Sequence, residues 1–405
     1  MPLCIAMVGL PARGKSTVAK KLKENISHEH LNIRVFNNGE LRRQIIKGDS
    51  ARPDFYDPDN TEASAERERI AQVQLNRAHT FLDDDGDIAI LDATNVTKER
   101  RDSIIRRMHP HPVLFIECRN DDDDLLSESI KRKTKLSEFG HLTFQEAYEH
   151  FLQRIELYRK KYVPVNEGNY LILDSLDNKI TDQYLQDQIP YYVLIRDALV
   201  TDWVNTLFIV RHGQTHYNLQ DRIGGDSALT DKGHEQANQL GDHFKDTIIP
   251  LIFTGQRQRT IETATPIKRL QRKARIISLP EFNEIDAGIC ERMSYAEIKE
   301  KYPDLHLKRM RDKYHFVYPE GEGYQALYER VKRGLKKALF LSGTTRNIMI
   351  VGHQAVNRAI LAYFLYRREQ DVPYIYVPQH KYYHISSTQS QKSISLKPFY
   401  AKKAP

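Results

Sequence analysis

Two stretches of the sequence contain residues of the kinds that bind phosphate groups, and each follows an apolar run. The first stretch is GLPARGKS, which fits the spacing G-x-x-x-x-G-K-[ST] with Gly9, Gly14, Lys15 and Ser16. In such a loop, backbone N–H groups surround nucleotide phosphates at a helix N-terminus, the lysine reaches the β and γ oxygens, and the hydroxyl ligates Mg²⁺. An apolar run precedes the loop and a helical pattern follows it, as the motif requires. The stretch therefore predicts a nucleotide site.

An acidic residue that could serve this site ends the apolar run of IAILDATN. Asp92 could hold Mg²⁺ through water or accept the proton of an attacking hydroxyl, although an aspartate in this place could equally cap a helix. The turn TNVTKERR then opens a basic helix that could bind an acceptor already carrying phosphate. For most of its arginines a solvated helix face is the simpler interpretation; they are Arg100, Arg101, Arg106 and Arg107. The four acids at 121–124 are interpreted as a capped, solvated helix start.

The second stretch is LFIVRHGQTHYN, in which Arg211 and His212 directly follow an apolar run. An imidazole can attack phosphorus and carry the phosphoryl group as phosphohistidine, provided that it is neutral and held through its other ring nitrogen. Guanidinium groups and a second histidine must then neutralise the phosphate oxygens. A histidine alone is more often a core or surface residue, so this interpretation depends on the other groups.

Distant parts of the chain supply those groups. Arg257 and Arg259 begin a predicted helix, and His353 follows another apolar run in IMIVGHQAVNR. Glu284 in EFNEIDAGICE is a carboxyl group that could protonate a leaving alkoxide. The combination predicts phosphoryl transfer to His212.

The hydrophobic pattern predicts two α/β halves, because short apolar runs alternate with helical patterns. Predicted strands of the first half are residues 3–8, 33–36, 88–91, 113–116 and 170–173, and predicted helices are 15–25, 62–81, 98–108 and 144–162. The second half has predicted strands at 206–210, 251–253, 275–279 and 347–351, and predicted helices at 231–245, 257–271, 324–341 and 355–366.

The length of 405 residues exceeds that of one ordinary core, which favours more than one domain. We predict a first domain at 1–200 and a second at 201–385, joined by an amphipathic, packed connector at 177–203. The Ser- and Lys-rich tail at 386–405 could be mobile or could lie across a domain.

Composition excludes several classes of protein. With 40% hydrophobic and 28% charged residues and no long apolar run, neither disorder nor membrane insertion is expected. The net charge of +7 suits nucleic acid, an acidic membrane surface or small anions, but basic residues are interspersed with acids, so nucleic-acid binding is not expected. Three cysteines without metal-ligand spacing argue against disulfides and for a reducing compartment, the cytoplasm by default.

Further motifs accompany the two phosphate-binding stretches: FNNGELRR, DATNVTKERR, RIGGDSALT, NEIDAGICE, DKYHFVYPEGEGY and GHQAVNRAILAYF. Over roughly residues 2–364, the chain resembles the 6-phosphofructo-2-kinase/fructose-2,6-bisphosphatase family. The resemblance implies a P-loop kinase domain, with a parallel sheet flanked by helices, and a histidine-phosphatase domain with a phosphoglycerate-mutase-like α/β sandwich. It implies ATP, Mg²⁺ and sugar phosphates for the kinase, no cofactor for the phosphatase, a homodimer through the kinase halves, and control of glycolysis versus gluconeogenesis.

The resemblance also assigns residues in the kinase half. Lys15 and Asp92 match catalytic positions, and Ser16 and Asp92 match metal ligands. Nucleotide contacts fall on Gly9, Arg13, Gly14, Lys15, Ser16, Thr17 and Lys135. Fructose 6-phosphate contacts fall on Arg42, Arg67, Thr94, Arg100, Arg154 and Tyr158.

In the phosphatase half, His212 matches the nucleophile and Glu284 the proton donor, and His353 is a further catalytic match. The phosphate pocket falls on Arg211, Asn218, Arg259 and His353. Contacts to the sugar bisphosphate fall on Gly224, Tyr295, Arg309, Lys313, Tyr324, Gln354 and Arg358. Cations and hydroxyls suit a small dianionic sugar, because guanidinium pairs with phosphate and hydroxyls hold the ring.

Three departures from the family pattern stand out. Asn120 lies nearest the place of a cysteine that the family often has, and Cys118 lies two residues earlier. Gly255 replaces the usual serine before the phosphatase arginine in FTGQRQRT, a change that could shift this loop. The chain starts almost at its first predicted strand, so the N-terminal regulatory extension of many relatives is not expected.

The leading hypothesis is a bifunctional enzyme that phosphorylates fructose 6-phosphate at the 2-hydroxyl with ATP and removes that phosphate through phosphohistidine. One alternative keeps both folds but leaves one activity weak, as the changes at Asn120 and Gly255 suggest. Another is a nucleotide-sensing or nucleic-acid-binding module, suggested by the charge and the phosphate loop. It is less favoured, because two complete catalytic sets are hard to explain in a passive binder.

Overall fold

The structure is a computed structural model that describes residues 1–26, 29–46, 50–365, 367–388 and 392–399. The chain divides into two compact units, Met1–Asp202 and Trp203–Pro405, and each is built on a six-stranded sheet. Within the described residues, no helix is long and apolar enough to cross a membrane.

The sheet of the first unit is parallel except at one edge. Its strands are β1 (Leu3–Val8), β2 (Ile33–Asn37), β3 (Ile88–Asp92), β4 (Val113–Arg119), β5 (Asn169–Asp174) and β6 (Lys179–Tyr184), in the order β2-β3-β1-β4-β5-β6. The first five are parallel, as predicted, and β6 pairs antiparallel with β5. Sequence reasoning missed β6, because its mostly exposed residues KITDQY lack the apolar run that marks a buried strand.

Helices cover the first sheet. They are α1 (Lys15–Ile26), α2 (Asn38–Ile45), α3 (Thr61–Asp84), α4 (Lys98–Met108), α5 (Asp123–Lys133), α6 (Phe144–Lys160) and α7 (Tyr192–Val200), with short 3-10 helices at Pro53–Tyr56 and Ser137–Phe139. One apolar cluster packs β-strand residues against α1 and α7, and a second packs them against α3 and α4. The four predicted helices are confirmed with small changes at their ends. The residues predicted as a packed connector form β6 and α7, and α7 packs in the first of these clusters. The capped helix start predicted at 121–124 is the start of α5, where the Asp122 side chain accepts a hydrogen bond from the backbone N–H of Leu125 at 3.0 Å.

The second unit contains a mixed sheet. Its strands are β7 (Val204–Arg211), β8 (Leu251–Thr254), β9 (Arg275–Ser278), β10 (Asn347–Gly352), β11 (Lys381–Ser387) and β12 (Lys392–Pro398), in the order β12-β11-β7-β10-β8-β9. The four predicted strands are the parallel ones, β7 to β10. The strands β11 and β12 form an antiparallel hairpin on β7, so part of the tail lies across the unit. Tail residues 389–391 and 400–405 lie outside the described residues.

The helices of the second unit are α8 (His216–Leu219), α9 (Asp231–His243), α10 (Gln258–Leu270), α11 (Tyr295–Lys301), α12 (Pro303–Arg311), α13 (Tyr324–Ser342) and α14 (Gln354–Leu365), with 3-10 helices at Pro280–Phe282, Gly288–Cys290 and Glu369–Tyr374. The four predicted helices are confirmed as α9, α10, α13 and α14, and the predicted last residue of the fourth, Tyr366, lies outside the described residues. An apolar cluster joins α9 and α10 to alternate residues of β7 and β10. The intervening residues Leu207 and Ile209 are also buried, so both faces of the sheet are covered.

The solvated face expected for most of the α4 arginines is found for Arg106 and Arg107, whereas the Arg100 side chain is 16% exposed and Arg101 is 0% exposed. The Arg101 guanidinium forms an ion pair with Glu167. It also donates to the carbonyl oxygens of Asn95 at 3.1 Å and Val163 at 3.0 Å. Glu167 and Val163 lie more than 60 positions away in the sequence, so the local basic pattern could not reveal them. Arg101 thereby fixes the turn that follows β3.

We expect Arg101→Met to lower the free energy of unfolding by about 3–5 kcal/mol, because Glu167 and two carbonyl oxygens lose the buried guanidinium that donates to them. Arg106→Met removes an exposed arginine from the same helix and should change this free energy by less than about 0.5 kcal/mol. Urea unfolding followed by circular dichroism measures both variants. Equal losses would contradict a structural role for Arg101.

Candidate active sites

The phosphate loop of the first unit joins β1 to α1 in close contact with its neighbours. Gly9 has φ +131°, and a Cβ atom there would lie 2.6 Å from the carbonyl oxygen of Cys118. Its N–H donates to the carbonyl oxygen of Thr94 at 2.9 Å. A side chain at Gly9 would therefore displace the loop from the ends of both neighbouring strands, β3 and β4.

Lys15, Ser16 and Asp92 meet beside this loop. The Lys15 Nζ donates to the carbonyl oxygen of Leu10 at 2.6 Å, and burial lowers the pKa of Lys15 to about 8, against the opposing effect of Asp92. The Asp92 carboxylate accepts hydrogen bonds from the Ser16 hydroxyl and the Asn37 amide, while burial raises the pKa of Asp92. A hydroxyl and a carboxylate are hard oxygen donors of the kind that Mg²⁺ prefers, so Ser16 and Asp92 fit that ion.

A cavity of about 850 Å³ opens next to these groups. Besides Lys15, Ser16 and Asp92, it is lined by all six residues predicted to contact the sugar phosphate: Arg42, Arg67, Thr94, Arg100, Arg154 and Tyr158. They come from α2, α3, the turn after β3, α4 and α6. The structure therefore gathers residues that are more than 100 positions apart in the sequence.

Two arginines of this cavity retain donors for an anion. Arg42 forms an ion pair with Glu138, and the Arg154 guanidinium lies 4.1 Å from the centre of the Tyr56 ring. The Nε atoms of Arg42 and Arg154 are buried, and neither has a hydrogen-bond partner among the described residues. Buried donors normally have an acceptor, and a phosphate oxygen in the cavity would supply one.

Five predicted nucleotide-site residues are not among those that line the cavity: Gly9, Arg13, Gly14, Thr17 and Lys135. The buried Arg13 instead donates to the carbonyl oxygen of Asn120, which joins the phosphate loop to the end of β4. Lys135 is exposed beyond the end of α5, whereas Lys133, which sequence reasoning missed, lines the cavity. Burial lowers the pKa of Lys133 to about 8. Its place three residues after the buried Ile130, on the same helix face, was the available signal.

The two histidines of the second unit meet at the ends of neighbouring strands. His212 follows β7 and His353 follows β10, and their ring centres are 5.3 Å apart. The backbone N–H of His212 donates to the carbonyl oxygen of Gly352 at 3.0 Å, which continues the ladder between the two strands.

The hydrogen bonds of the two rings determine their tautomers. The Nδ1 of His212 lies 2.7 Å from the carbonyl oxygen of Gly213, so Nδ1 donates and Nε2 keeps its lone pair. The Nε of Arg259 donates to Nδ1 of His353 at 3.2 Å, which places the His353 proton on Nε2. That Nε2 is buried without a partner among the described residues. His353 therefore keeps an unpaired donor close to His212, although His353 itself is fully buried and does not line the cavity in front of His212.

Burial and neighbouring cations keep both rings neutral. Burial, with Arg259 and Arg211, holds the pKa of His212 well below its usual value, and burial with Arg259 does the same to the pKa of His353. A neutral His212 is the form that can attack phosphorus.

A cavity of about 320 Å³ lies in front of His212. Glu284 lines it, together with all ten residues predicted to contact the sugar bisphosphate: Arg211, Asn218, Gly224, Arg259, Tyr295, Arg309, Lys313, Tyr324, Gln354 and Arg358. Burial, with Arg309 and Arg358, lowers the pKa of Lys313 to about 8. The concentration of cations in so small a cavity suits a ligand with more than one negative charge.

Two residues that sequence reasoning missed hold the loops of this site. Glu291 accepts from the backbone N–H groups of Gly225 at 2.6 Å and Ala287 at 2.9 Å, which joins two of the loops. Arg330 on α13 donates to the carbonyl oxygens of Glu281 at 2.7 Å and Asn283 at 3.0 Å, on the segment that leads to Glu284. Both act through backbone atoms of distant segments, so the sequence carries no local signal for them.

The loop at Gly255 packs closely against the segment that leads to Glu284. A Cβ atom at Gly255 would lie 2.6 Å from the carbonyl oxygen of Phe282, and the N–H of Gln256 donates to the Asn283 side chain at 2.7 Å. Arg259 follows on α10 and still reaches His353. The glycine is therefore compatible with a complete phosphate site.

Comparisons with known proteins match each of the two units to a family. Residues 1–198 match the family described as 6-phosphofructo-2-kinase, and residues 207–397 match the histidine phosphatase superfamily (branch 1). The 6-phosphofructo-2-kinase/fructose-2,6-bisphosphatase of Aquarana catesbeiana is 34% identical over 394 residues, which are 94% of this chain and 81% of that protein. The chain belongs to the 6-phosphofructo-2-kinase/fructose-2,6-bisphosphatase family. The resemblance inferred from the motifs and the predicted pair of α/β folds are thereby confirmed.

Other similar proteins include 6-phosphofructo-2-kinase/fructose-2,6-bisphosphatase 3 of Homo sapiens, which is 33% identical over 94% of this chain and 73% of its own length. The solved structure of an alpha-ribazole phosphatase from Shigella flexneri is 24% identical, with a TM-score of 0.45 over 48% of this chain and 96% of its own.

We expect the rings of His212 and His353 to stay neutral as the pH falls below about 6.5, where an unperturbed imidazole takes up a proton. Because their folded-state pKa values are depressed, the unfolded chain binds protons first, so these two residues make the protein less stable as the pH falls through that range. Nitrogen-15 NMR of the imidazoles between pH 7.5 and 5.5, with His212→Gln and His353→Gln for assignment, measures this. Protonation of either ring near pH 6.5 would contradict the buried arrangement.

Proposed function

We propose that the chain is a bifunctional enzyme that makes and hydrolyses fructose 2,6-bisphosphate, and thereby controls glycolysis versus gluconeogenesis. The observation that carries this proposal is that each unit encloses its own cation-lined cavity, with a different candidate reacting group in each. The first unit has a phosphate loop, Lys15 and Asp92, and the second has a neutral His212 with a free Nε2. Family membership supplies the sugar, which neither cavity identifies by itself.

In the kinase step, ATP lies on the phosphate loop and fructose 6-phosphate lies among the arginines of the cavity. The Nε donors of Arg42 and Arg154 bind the 6-phosphate, and Lys15 and Lys133 compensate charge on the transferring phosphoryl group. Asp92 accepts the proton of the 2-hydroxyl as general base; burial raises the pKa of Asp92, and the Mg²⁺ that it would help to hold lowers it. Bound by Ser16 and Asp92, Mg²⁺ would neutralise phosphate charge.

In the phosphatase step, Nε2 of His212 attacks the 2-phosphorus as the bond from phosphorus to the sugar oxygen breaks. Arg211, Arg259 and the Nε2–H of His353 bind the phosphate oxygens, while Glu284 gives its proton to the leaving sugar oxygen. A water molecule then attacks the phosphohistidine and returns a proton to Glu284. Inorganic phosphate leaves, and both residues regain their starting states.

His212→Ala should reduce hydrolysis of fructose 2,6-bisphosphate at least about 1000-fold, because no other group takes the phosphoryl group. Its kinase rate should be unchanged. Lys15→Met should reduce the kinase rate at least about 100-fold and leave hydrolysis unchanged. Each variant serves as the control for the other, with both rates measured on one preparation. Loss of both activities in a folded variant would contradict two independent sites.

A second candidate function is the same pair of folds with weak hydrolysis, which the close packing at Gly255 brings into consideration. Gly255→Ser restores the residue that the family usually has, but its Cβ would meet the Phe282 carbonyl oxygen. If Gly255 suits this loop, the serine should displace Arg259 and slow hydrolysis by about tenfold to a hundredfold, with the kinase rate as internal control. Faster hydrolysis would favour the second candidate instead.

We also propose a cytoplasmic homodimer that binds no nucleic acid. The three cysteines are free and buried, which suits a reducing compartment. For the dimer contact within the first unit, we propose the edge strand β6, whose exposed backbone could pair with a second copy. Sedimentation equilibrium at the mass of one chain, 47.3 kDa, would contradict the dimer.

A further inference from the structure

Three side chains of the first unit that do not line its cavity form a compact cluster of metal-ligand type. His79 and Asp83 lie on α3, and His111 lies between α4 and β4. The Nδ1 of His79 is 2.7 Å from one Asp83 carboxylate oxygen, and the Nε2 of His111 is 2.9 Å from the other. One ligand atom from each residue lies within 4.8 Å of those of the other two.

The fold holds the three residues in place. His79 and Asp83 are four positions apart and share one helix face. Their neighbours Ala78 and Leu82 are buried in the core, and the N–H of His111 donates to the carbonyl oxygen of Met108 at 2.7 Å. The side chains of His79 and His111 are 16% and 11% exposed and that of Asp83 is 49% exposed, so the cluster has a polar opening to solvent.

We propose that His79, Asp83 and His111 bind a divalent first-row transition-metal ion, with Zn²⁺ as the expected occupant. Two imidazoles and a carboxylate are a donor set that Zn²⁺ takes in proteins, and three protein ligands leave a fourth position for water. Imidazole nitrogen favours such an ion over Mg²⁺ or Ca²⁺, which prefer oxygen. The carboxylate offsets half of the ion's charge.

The geometry requires only a small adjustment. Ligand atoms about 2 Å from a tetrahedral ion lie about 3.3 Å apart, somewhat farther than the nitrogen–oxygen distances in the cluster. Rotation of the half-exposed Asp83 side chain provides the nitrogen–oxygen difference, and rotation of the imidazole rings brings the two nitrogens, which contact different carboxylate oxygens, to the same separation. The ion takes the place of the hydrogens that the two nitrogens now share with Asp83, so each ring carries its proton on its other nitrogen.

The bound ion would cross-link two segments of the first unit and would take no part in the kinase reaction. It joins the C-terminal end of α3 to the segment that enters β4. The N-terminal half of α3 lines the cavity through residues that include Thr61, Arg67 and Ala71. At 1.5 Å per residue, His79 lies about 18 Å along the helix from Arg67, too far to touch a ligand there.

The test uses the full chain, freed of metal with a chelator, dialysed, and titrated with Zn²⁺ against a chromophoric chelator. The proposal expects one equivalent bound by the wild type and an affinity at least about tenfold weaker in both His111→Ala and Asp83→Asn. His315→Ala is the matched control, because His315 pairs with Asp312 at 2.8 Å in the second unit. Its affinity for Zn²⁺ should equal that of the wild type.

Co²⁺ supplies a second readout, since tetrahedral coordination gives intense visible absorption that His111→Ala and Asp83→Asn should lose. If His111→Ala fails to fold, Asp83→Asn decides the question, because its side chain is half exposed and nearly unchanged in size. The proposal is overturned if the wild type binds no stoichiometric Zn²⁺, or if folded Asp83→Asn binds it as tightly as the wild type does.

Discussion

Both sites of this protein depend on one geometric constraint, which is that neighbouring parallel strands end at the same edge of a sheet. β1 lies between β3 and β4, so the phosphate loop meets Asp92 and the end of β4. β7 lies beside β10, so His212 meets His353. In each unit the backbone ladder fixes the separation of the reacting groups before any side chain is positioned. The helices that follow the strands then contribute arginines to each cavity.

Burial adjusts the chemistry of the groups that this constraint brings together. The same physical cause, loss of solvation of a charged form, lowers the pKa of Lys15, Lys133 and Lys313 to about 8 and keeps His212 neutral. For the lysines, an anionic ligand would restore the charged form. For His212, neutrality is the requirement of the reaction itself. Loss of solvation therefore produces anion-binding lysines in both units and a neutral histidine nucleophile in the second unit.

Most of the candidate functional residues at the strand ends could be predicted from the sequence, but few of the residues that hold the loops in place could be. Apolar runs and helical periodicity are local signals, so the five parallel strands of the first sheet and the motifs at their ends could be predicted. Arg101, Glu291 and Arg330 hold backbone atoms of distant segments, and no local pattern marks such a partner. Lys133 lines the cavity and Lys135 does not, a difference that depends on where α5 ends and that the sequence did not specify. The edge strands β6 and β12 were missed because exposed polar strands need no apolar run, and β11, which lies between β12 and β7, was missed because its buried residues are interspersed with polar ones.

The C-terminal hairpin has a consequence for the strand that carries the nucleophile. β11 pairs with β7 through Tyr382 and Val210, so without the hairpin β7 would be an open edge next to His212. An unpaired apolar edge is a template for association with other chains. β12 forms the edge instead of β7, and its exposed Lys392, Ser393 and Lys397 oppose pairing with another chain. β11 thus covers the strand that carries His212 against pairing with another chain, so solubility and catalysis depend on the same residues of β11.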